Sequence, residues 1–110
     1  MAIAYRILGQ QNPGTTTTKI CGDGTPTSGA MVVSTIIICN RTNASRTYRV
    51  SARPTGTALN NQHYLAYDAV VPANDSIIMT LGITLSSTEL VEVYGSDTLV
   101  SFTAFGSVIT

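Results

Sequence analysis

Tryptophan is absent from this chain, histidine occurs once, cysteine twice, and charged side chains make up only 11% of its 110 residues. Each scarcity removes a class of function. A charged fraction less than half the usual ~25%, with six basic residues balanced by six acidic ones, leaves neither the cationic footprint of a nucleic-acid binder nor the polybasic signature of a membrane-surface protein. His63, Cys21 and Cys39 give no CxxC or HxxxH spacing, so no metal is expected. Gly22-Asp23-Gly24 lacks the strand, helix and lysine context that would cradle a phosphate, and no cofactor is expected either. The longest apolar run, Ala30 to Asn40, is interrupted by Ser34 and Thr35 and falls well short of the roughly 20 residues that cross a bilayer as a helix.

Catalytic chemistry finds equally little to work with. His63 is the only imidazole, and a hydrolytic triad is defined by geometry that composition cannot supply. Paired-carboxylate catalysis would have to draw on Asp23, Asp68, Asp75, Glu89, Glu92 and Asp97. All but Asp68 fall in turns or on outward strand faces, and Asp68 is expected to bond a neighbouring arginine. No enzymatic activity is expected. The tyrosines Tyr5, Tyr48, Tyr64, Tyr67 and Tyr94 are assigned mostly to inward faces, which leaves no exposed row for sugars or bases to stack on.

What is present is β-branched and threonine-rich. Met31-Val32-Val33-Ser34-Thr35-Ile36-Ile37-Ile38-Cys39 crowds a helix at χ1 but fits a pleated surface, and Gly29 and Asn40 bound it as a long central strand. Ala2 to Leu8 alternates, with Ile3, Tyr5 and Ile7 on one face and Ala4, Arg6 and Leu8 on the other, as in a strand with one buried side. Gln10 to Gly14 ends it. Thr15 to Thr18 leads into a short strand at Lys19 to Cys21, and Gly22 to Gly29 is an exposed loop. Arg46 to Arg53 places Tyr48, Val50 and Ala52 inward and Thr47, Arg49, Ser51 and Arg53 outward. His63 to Val71, with Leu65, Tyr67, Ala69 and Val71 on one face, Ser76 to Leu81, Leu90 to Tyr94 and Leu99 to Phe105 complete the pattern.

No segment shows helical spacing over a helical length. About eight short strands with turn-rich joints predict an all-β, antiparallel β-sandwich of immunoglobulin-like or jelly-roll-like type, as a single domain over residues 1–110. Residues 1–18 are open to two readings: an extended N-terminal arm that adds a strand to a neighbour, or a strand paired within its own sandwich. Cys21 and Cys39 both lie in apolar strands, where free thiols act as small hydrophobes; a disulfide across the sandwich is the alternative, and disulfides are rare in reducing cytosol. The opening residues lack a basic leader and a cleavage-like motif, so synthesis in the cytosol is expected. Asn40-Arg41-Thr42, Asn43-Ala44-Ser45 and Asn74-Asp75-Ser76 match the glycosylation sequon but read more simply as turn residues.

Poverty of charge also bears on partners. Charged residues are depleted in interface cores, which points to a domain that lives in an assembly. Four of the six basic residues fall between Arg41 and Arg53, and Arg46, Arg49 and Arg53 on one strand form either a solvated face or a docking stripe for an acidic protein surface.

The opening Met1 to Gln10, the strand Val33 to Arg41, the run Asn61 to Asp68, Thr80-Leu81-Gly82-Ile83-Thr84-Leu85 and the ending Val100 to Gly106 resemble a family of small virion proteins of tailed bacteriophages, including phages of cyanobacteria and marine bacteria. The resemblance covers nearly the whole chain and rests on strand and turn patterns, so it carries over no active-site residue. It implies a β-sandwich virion structural protein, assembled in the host cytoplasm and resident in the virion. The first role it implies is capsid decoration, a cement protein that binds the major capsid protein or other virion proteins and stabilises the lattice. The alternative is a tail or fibre adaptor, or a receptor- or carbohydrate-binding tail module. It further implies a homo-oligomer, a trimer fitting a local three-fold position, with Ile3, Tyr5, Ile7, Arg46, Arg49 and Arg53 as the candidate interface residues.

Overall fold

Ala30–Asn40 forms one continuous strand in the computed structural model of the chain, which describes residues 3–27 and 29–109. Seven further strands surround it. In chain order they are β1 (Ile3–Gln11), β2 (Thr18–Gly22), the central β3 (Ala30–Asn40), β4 (Arg46–Pro54), β5 (Tyr64–Val71), β6 (Ser76–Leu85), β7 (Glu89–Gly95) and β8 (Val100–Ile109). A single 3-10 turn, Asn61–His63, is the only helical segment among the described residues.

The strands pair as one long hairpin folded back on itself. Ile3 lies against Ile109, Lys19 against Glu92, Met31 against Leu85 and Arg46 against Val71, so β1 meets β8, β2 meets β7, β3 meets β6 and β4 meets β5, all antiparallel. Rolling this hairpin adds the β3–β8 and β4–β7 ladders. The result is a front sheet in the order β1-β8-β3-β6 and a back sheet in the order β2-β7-β4-β5. Of the two sandwich types the sequence leaves open, this is the jelly roll, an eight-stranded double sheet built from Greek keys.

Between the sheets lies one apolar cluster. Leu8, Met31, Val33, Ile36, Ile38, Phe102 and Ala104 come from the front sheet, and Cys21, Tyr48, Val50, Val71, Val91 and Val93 from the back. Tyr48 meets Phe102 edge-on across the gap, at a centroid distance of 6.5 Å, a favoured aromatic geometry. Burial of such side chains is worth roughly 1.5–3 kcal/mol each relative to exposure, and this is what holds the layers together.

One line of irregular pairing crosses the front sheet. The register shifts between Ile7 and Gly9 on β1 and between Val33 and Thr35 on β3, the latter against both β6 and β8. The shift at Ser34 changes the parity of β3: Met31 and Val33 are buried on one side of it, Ile36, Ile38 and Asn40 on the other. A bulge bends a sheet without sacrificing its core face, and here it lets an eleven-residue strand stay buried along its whole length. Gly106 of β8 sits on this line, where a Cβ would fall 1.8 Å from the Val32 carbonyl oxygen.

Several local expectations are corrected. β1 runs on to Gln11, β6 continues through Gly82 to Leu85, and β8 continues through Gly106 to Ile109. β8 has partners on both sides and β6 packs Leu81, Ile83 and Leu85 inward, which outweighs the local turn propensity of glycine and serine, while Gln10 and Gln11 keep pairing with Thr103 and Phe102 of β8. On β5, Leu65 and Tyr67 are exposed while Ala66, Ala69 and Val71 pack inward. The cause is a register shift between Tyr48 and Val50 of the partner strand, where Asp68 takes a positive φ of 50°. In the N-terminal segment β1 pairs with β8 of its own chain along its length; Met1 and Ala2 lie outside the described residues.

Candidate functional site

Because directly opposed residues of antiparallel strands share a face, the outward side of the front sheet can be read rung by rung. Ile3, Ile109 and Ala30 form the first rung, and Tyr5, Ser107, Val32 and Thr84 the second. Ile7, Phe105, Thr35 and Thr80 make the third, Gln10, Thr103, Ile37 and Ile78 the fourth, and Ser101, Cys39 and Ser76 the last. No rung holds a charged side chain. Arg6 is the one charged residue in the four strands of this sheet, and its partner Gly106 puts it on the opposite parity, at the sheet edge.

The same face is apolar and open. Tyr5 is 86% exposed and Ile78 66%, with Ile3 and Ile7 also exposed. Between them a groove of about 590 Å³ lies along the bulge line, where Ser34, Gly106 and Ser107 leave room beside Tyr5, Val32 and Phe105, with Arg6 the one charged residue in its lining. Assigning Tyr5 to the interior is thus corrected. In β1 the buried position is Leu8, on the parity opposite to Ile3, Tyr5 and Ile7, which point to water.

The back sheet is the opposite in character. Its strands carry Lys19, Arg46, Arg49, Arg53, Asp68, Glu89 and Glu92, and its arginines are matched within the chain. Arg49 Nε donates to Asp68 Oδ1 at 2.7 Å, and Arg53 forks onto Glu92 through Nε (2.7 Å) and Nη2 (3.3 Å). Arg46 Nη2 lies 3.5 Å from Asp97 Oδ2. The hydrogen bond that Arg49 donates to Asp68 raises the Arg49 guanidinium above its ordinary value, and the one that Arg53 donates to Glu92 does the same for Arg53. Arg49 also lies 4.3 Å from the ring centroids of both Tyr67 and Tyr94, a doubled cation–π contact. Asp68 therefore has the arginine partner expected of it. A stripe with its charges already paired offers little free cation to an acidic partner.

Neither a protein-family model nor a curated protein matches the sequence. The geometry has to carry the reading of function.

It offers little to chemistry. Among the described residues no three metal-ligating side chains come together. His63 Nδ1 accepts the backbone N–H of Asn60 at 2.8 Å and so closes the 3-10 turn. Tyr67 is exposed, but its ring already meets Arg49 and, edge-to-face at 4.7 Å, Tyr64, so the cluster is not a free stacking platform. Asn40 does not read as a glycan acceptor, because its amide is buried and bonded on all sides.

Both cysteines are free. Cys21 is buried, whereas Cys39 lies half-buried on the outward rung between Ser101 and Ser76. Burial pushes the Cys21 thiol from 9.0 up to about 11, against a smaller opposing effect of Lys19. Since the folded state holds this proton more tightly than the unfolded one, its contribution is complete below pH 9 and is lost as pH rises toward 11. Urea unfolding should therefore show stability falling by about 2–3 kcal/mol over that window. Burial raises Tyr48 as well, so the comparison is with Cys21→Ala, in which the fall should shrink.

Of the six candidate interface residues, the structure brings Ile3, Tyr5 and Ile7 together on the front face, and places the three arginines, paired, on the other sheet. Sequence reasoning missed Val32, Ile37, Ile78, Phe105 and Ile109 as members of that front face. A signal for it was present: β3 is apolar at outward as well as inward positions, which a half-solvated strand does not need.

Proposed function

We propose that this chain is a structural protein of a phage virion, most specifically a decoration protein that binds the capsid lattice from outside and stabilises it. The observation that carries the reading is the outward face of the front sheet, broad and apolar, with uncharged rungs and Arg6 as the one charge at its groove, on a chain whose arginine strand is internally paired. Contiguous exposed apolar patches mark interaction sites, and uncharged patches with aromatic residues resemble interface cores. The jelly-roll order supports it, since virus capsids use such sandwiches, although lectins and cupins do too. The resemblance in strand and turn pattern to small virion proteins supplies the setting.

Purified protein added to heads that lack it should bind and raise the temperature at which those heads lose their DNA. Heads that gain no protein and no heat resistance would refute the cement role. Recovery of the chain with separated tails instead of heads would favour the tail adaptor or receptor-binding role.

A further inference from the structure

We infer that a second copy of this chain covers the front face, in a two-fold dimer that stacks the two β1-β8-β3-β6 sheets on each other; this rests on reading that face as an assembly surface, and it assigns the face to a second copy, so that the dimer would meet the lattice through its remaining surface. Three features of the face select a copy of itself as occupant. The first is charge. Every outward rung from Ile3–Ile109–Ala30 to Ser101–Cys39–Ser76 is uncharged, with Arg6 the one charge beside them, at the groove, so a partner with a charge opposite the rungs would strand that charge in an apolar contact. A partner therefore needs an equally uncharged sheet face, and this chain presents one.

The second is area. Four strands about 4.8 Å apart, each of nine to eleven residues at about 3.3 Å per residue, span roughly 600 Å² per copy, or about 1,200 Å² for the pair. That clears the ~1,000 Å² expected of a specific interface. The third is shape. Tyr5 stands 86% exposed beside the groove lined by Ser34, Phe105 and Ser107, so each copy presents both a projecting ring and a recess. A face that pairs with itself must be related by a two-fold axis, in which the ring of each copy meets the face of the other. A three-fold assembly would have to join two different patches.

Sedimentation velocity at about 1–200 μM, the range in which an interface of this size is expected to associate, tests the inference. The wild-type chain should sediment at twice the 11.6 kDa chain mass at the upper end of the series. Tyr5→Lys and Ile78→Lys, both exposed in the single chain, should leave circular dichroism unchanged and weaken association by about 30-fold or more. Val70→Lys, exposed on the back sheet, should leave it unchanged. A wild-type monomer throughout, a trimer, or a dimer disturbed by Val70→Lys and not by the two front-face changes would overturn the inference. Its failure is separable from that of the proposed function. A monomer that still protects heads keeps the cement role and removes the dimer, and a front-face dimer that binds no virion part does the reverse.

Discussion

Gly106→Val should give no folded protein, and Gly106→Ala should lose about 4 kcal/mol or more, in the range reserved for specific structural conflicts. The conflict here is with backbone. Gly106 lies on the bulge line of the front sheet, and a Cβ there would stand 1.8 Å from the Val32 carbonyl oxygen, 2.9 Å from its carbon and 3.0 Å from Leu8 Cδ1. Leu8 could swing aside. The Val32 carbonyl belongs to the neighbouring strand and cannot move without breaking the β3–β8 ladder on which the core face depends. Gly82, on β6, is the control, because a Cβ there meets nothing within 4 Å. Gly82→Ala should be neutral or slightly stabilising, through the reduced freedom of the unfolded chain. Thermal unfolding of the pair measures both, and a melting temperature for Gly106→Ala within a few degrees of wild type would contradict the close approach.

Asn40→Ala is expected to cost about 3 kcal/mol or more, since it strips several buried groups of partners at once and each such group costs roughly 1–3 kcal/mol. Asn40 ends β3 and is 1% exposed. Its Nδ2 donates toward the carbonyls of Ala44 (2.9 Å), Val71 (3.2 Å) and Pro72 (3.0 Å), and its Oδ1 accepts from the backbone N–H of Thr42 (2.9 Å) and from the Thr42 hydroxyl (2.7 Å). One side chain thus ties the β3–β4 loop to the end of β5 and its turn. Asn40→Asp separates hydrogen bonding from size. It keeps the acceptor for Thr42 but turns a carboxylate oxygen toward three carbonyls, which favours the protonated acid in the folded state. With its folded value raised above the ordinary ~3.9, the variant should be closest to wild type near pH 4 and fall further behind as pH rises to 8. Chemical denaturation at the two pH values reads this directly, and a deficit that does not change with pH would mean the carbonyl cage is not as described.

The central strand was legible in the residues themselves. Ala30 to Asn40 is the stretch richest in β-branched residues, preceded by glycine and ending on a turn former, and β3 has those limits. β4 was equally readable, because Tyr48 and Val50 alternate with Arg49 and Arg53 and apolar and charged residues cannot exchange faces cheaply. Asp68, as the one acid assigned neither to a turn nor to an outward strand face, advertised its need of an arginine. What could not be read was anything set by long-range pairing. An immunoglobulin-like sandwich and a jelly roll share the same two-residue periodicity, and only the ladders β1–β8, β2–β7, β3–β6 and β4–β5 distinguish them.

The candidate face was hidden for a related reason. In β1, Ile3, Tyr5 and Ile7 are more apolar than Ala4, Arg6 and Leu8, so the ordinary alternation rule sends them inward. Their pairing with Ile109, Ser107 and Phe105 of β8, on the outward parity of the sheet, places them on an outward apolar surface instead. Local sequence records what each side chain prefers, whereas the emptiness of a face is a property of four strands taken together. The arginine stripe hides its pairing in the same way: three like charges on one strand look unpartnered until Asp97, Asp68 and Glu92 arrive from distant segments.

Hydroxyl-radical footprinting of the chain in purified particles, set against the dilute monomer, most directly tests the claim that the front face is where this protein is held by others. Tyr5 and Ile78, 86% and 66% exposed in the single chain, should be oxidised several-fold more slowly in the particle. Oxidation of both at the monomer's rate would mean that the face stays in water, and would contradict the account.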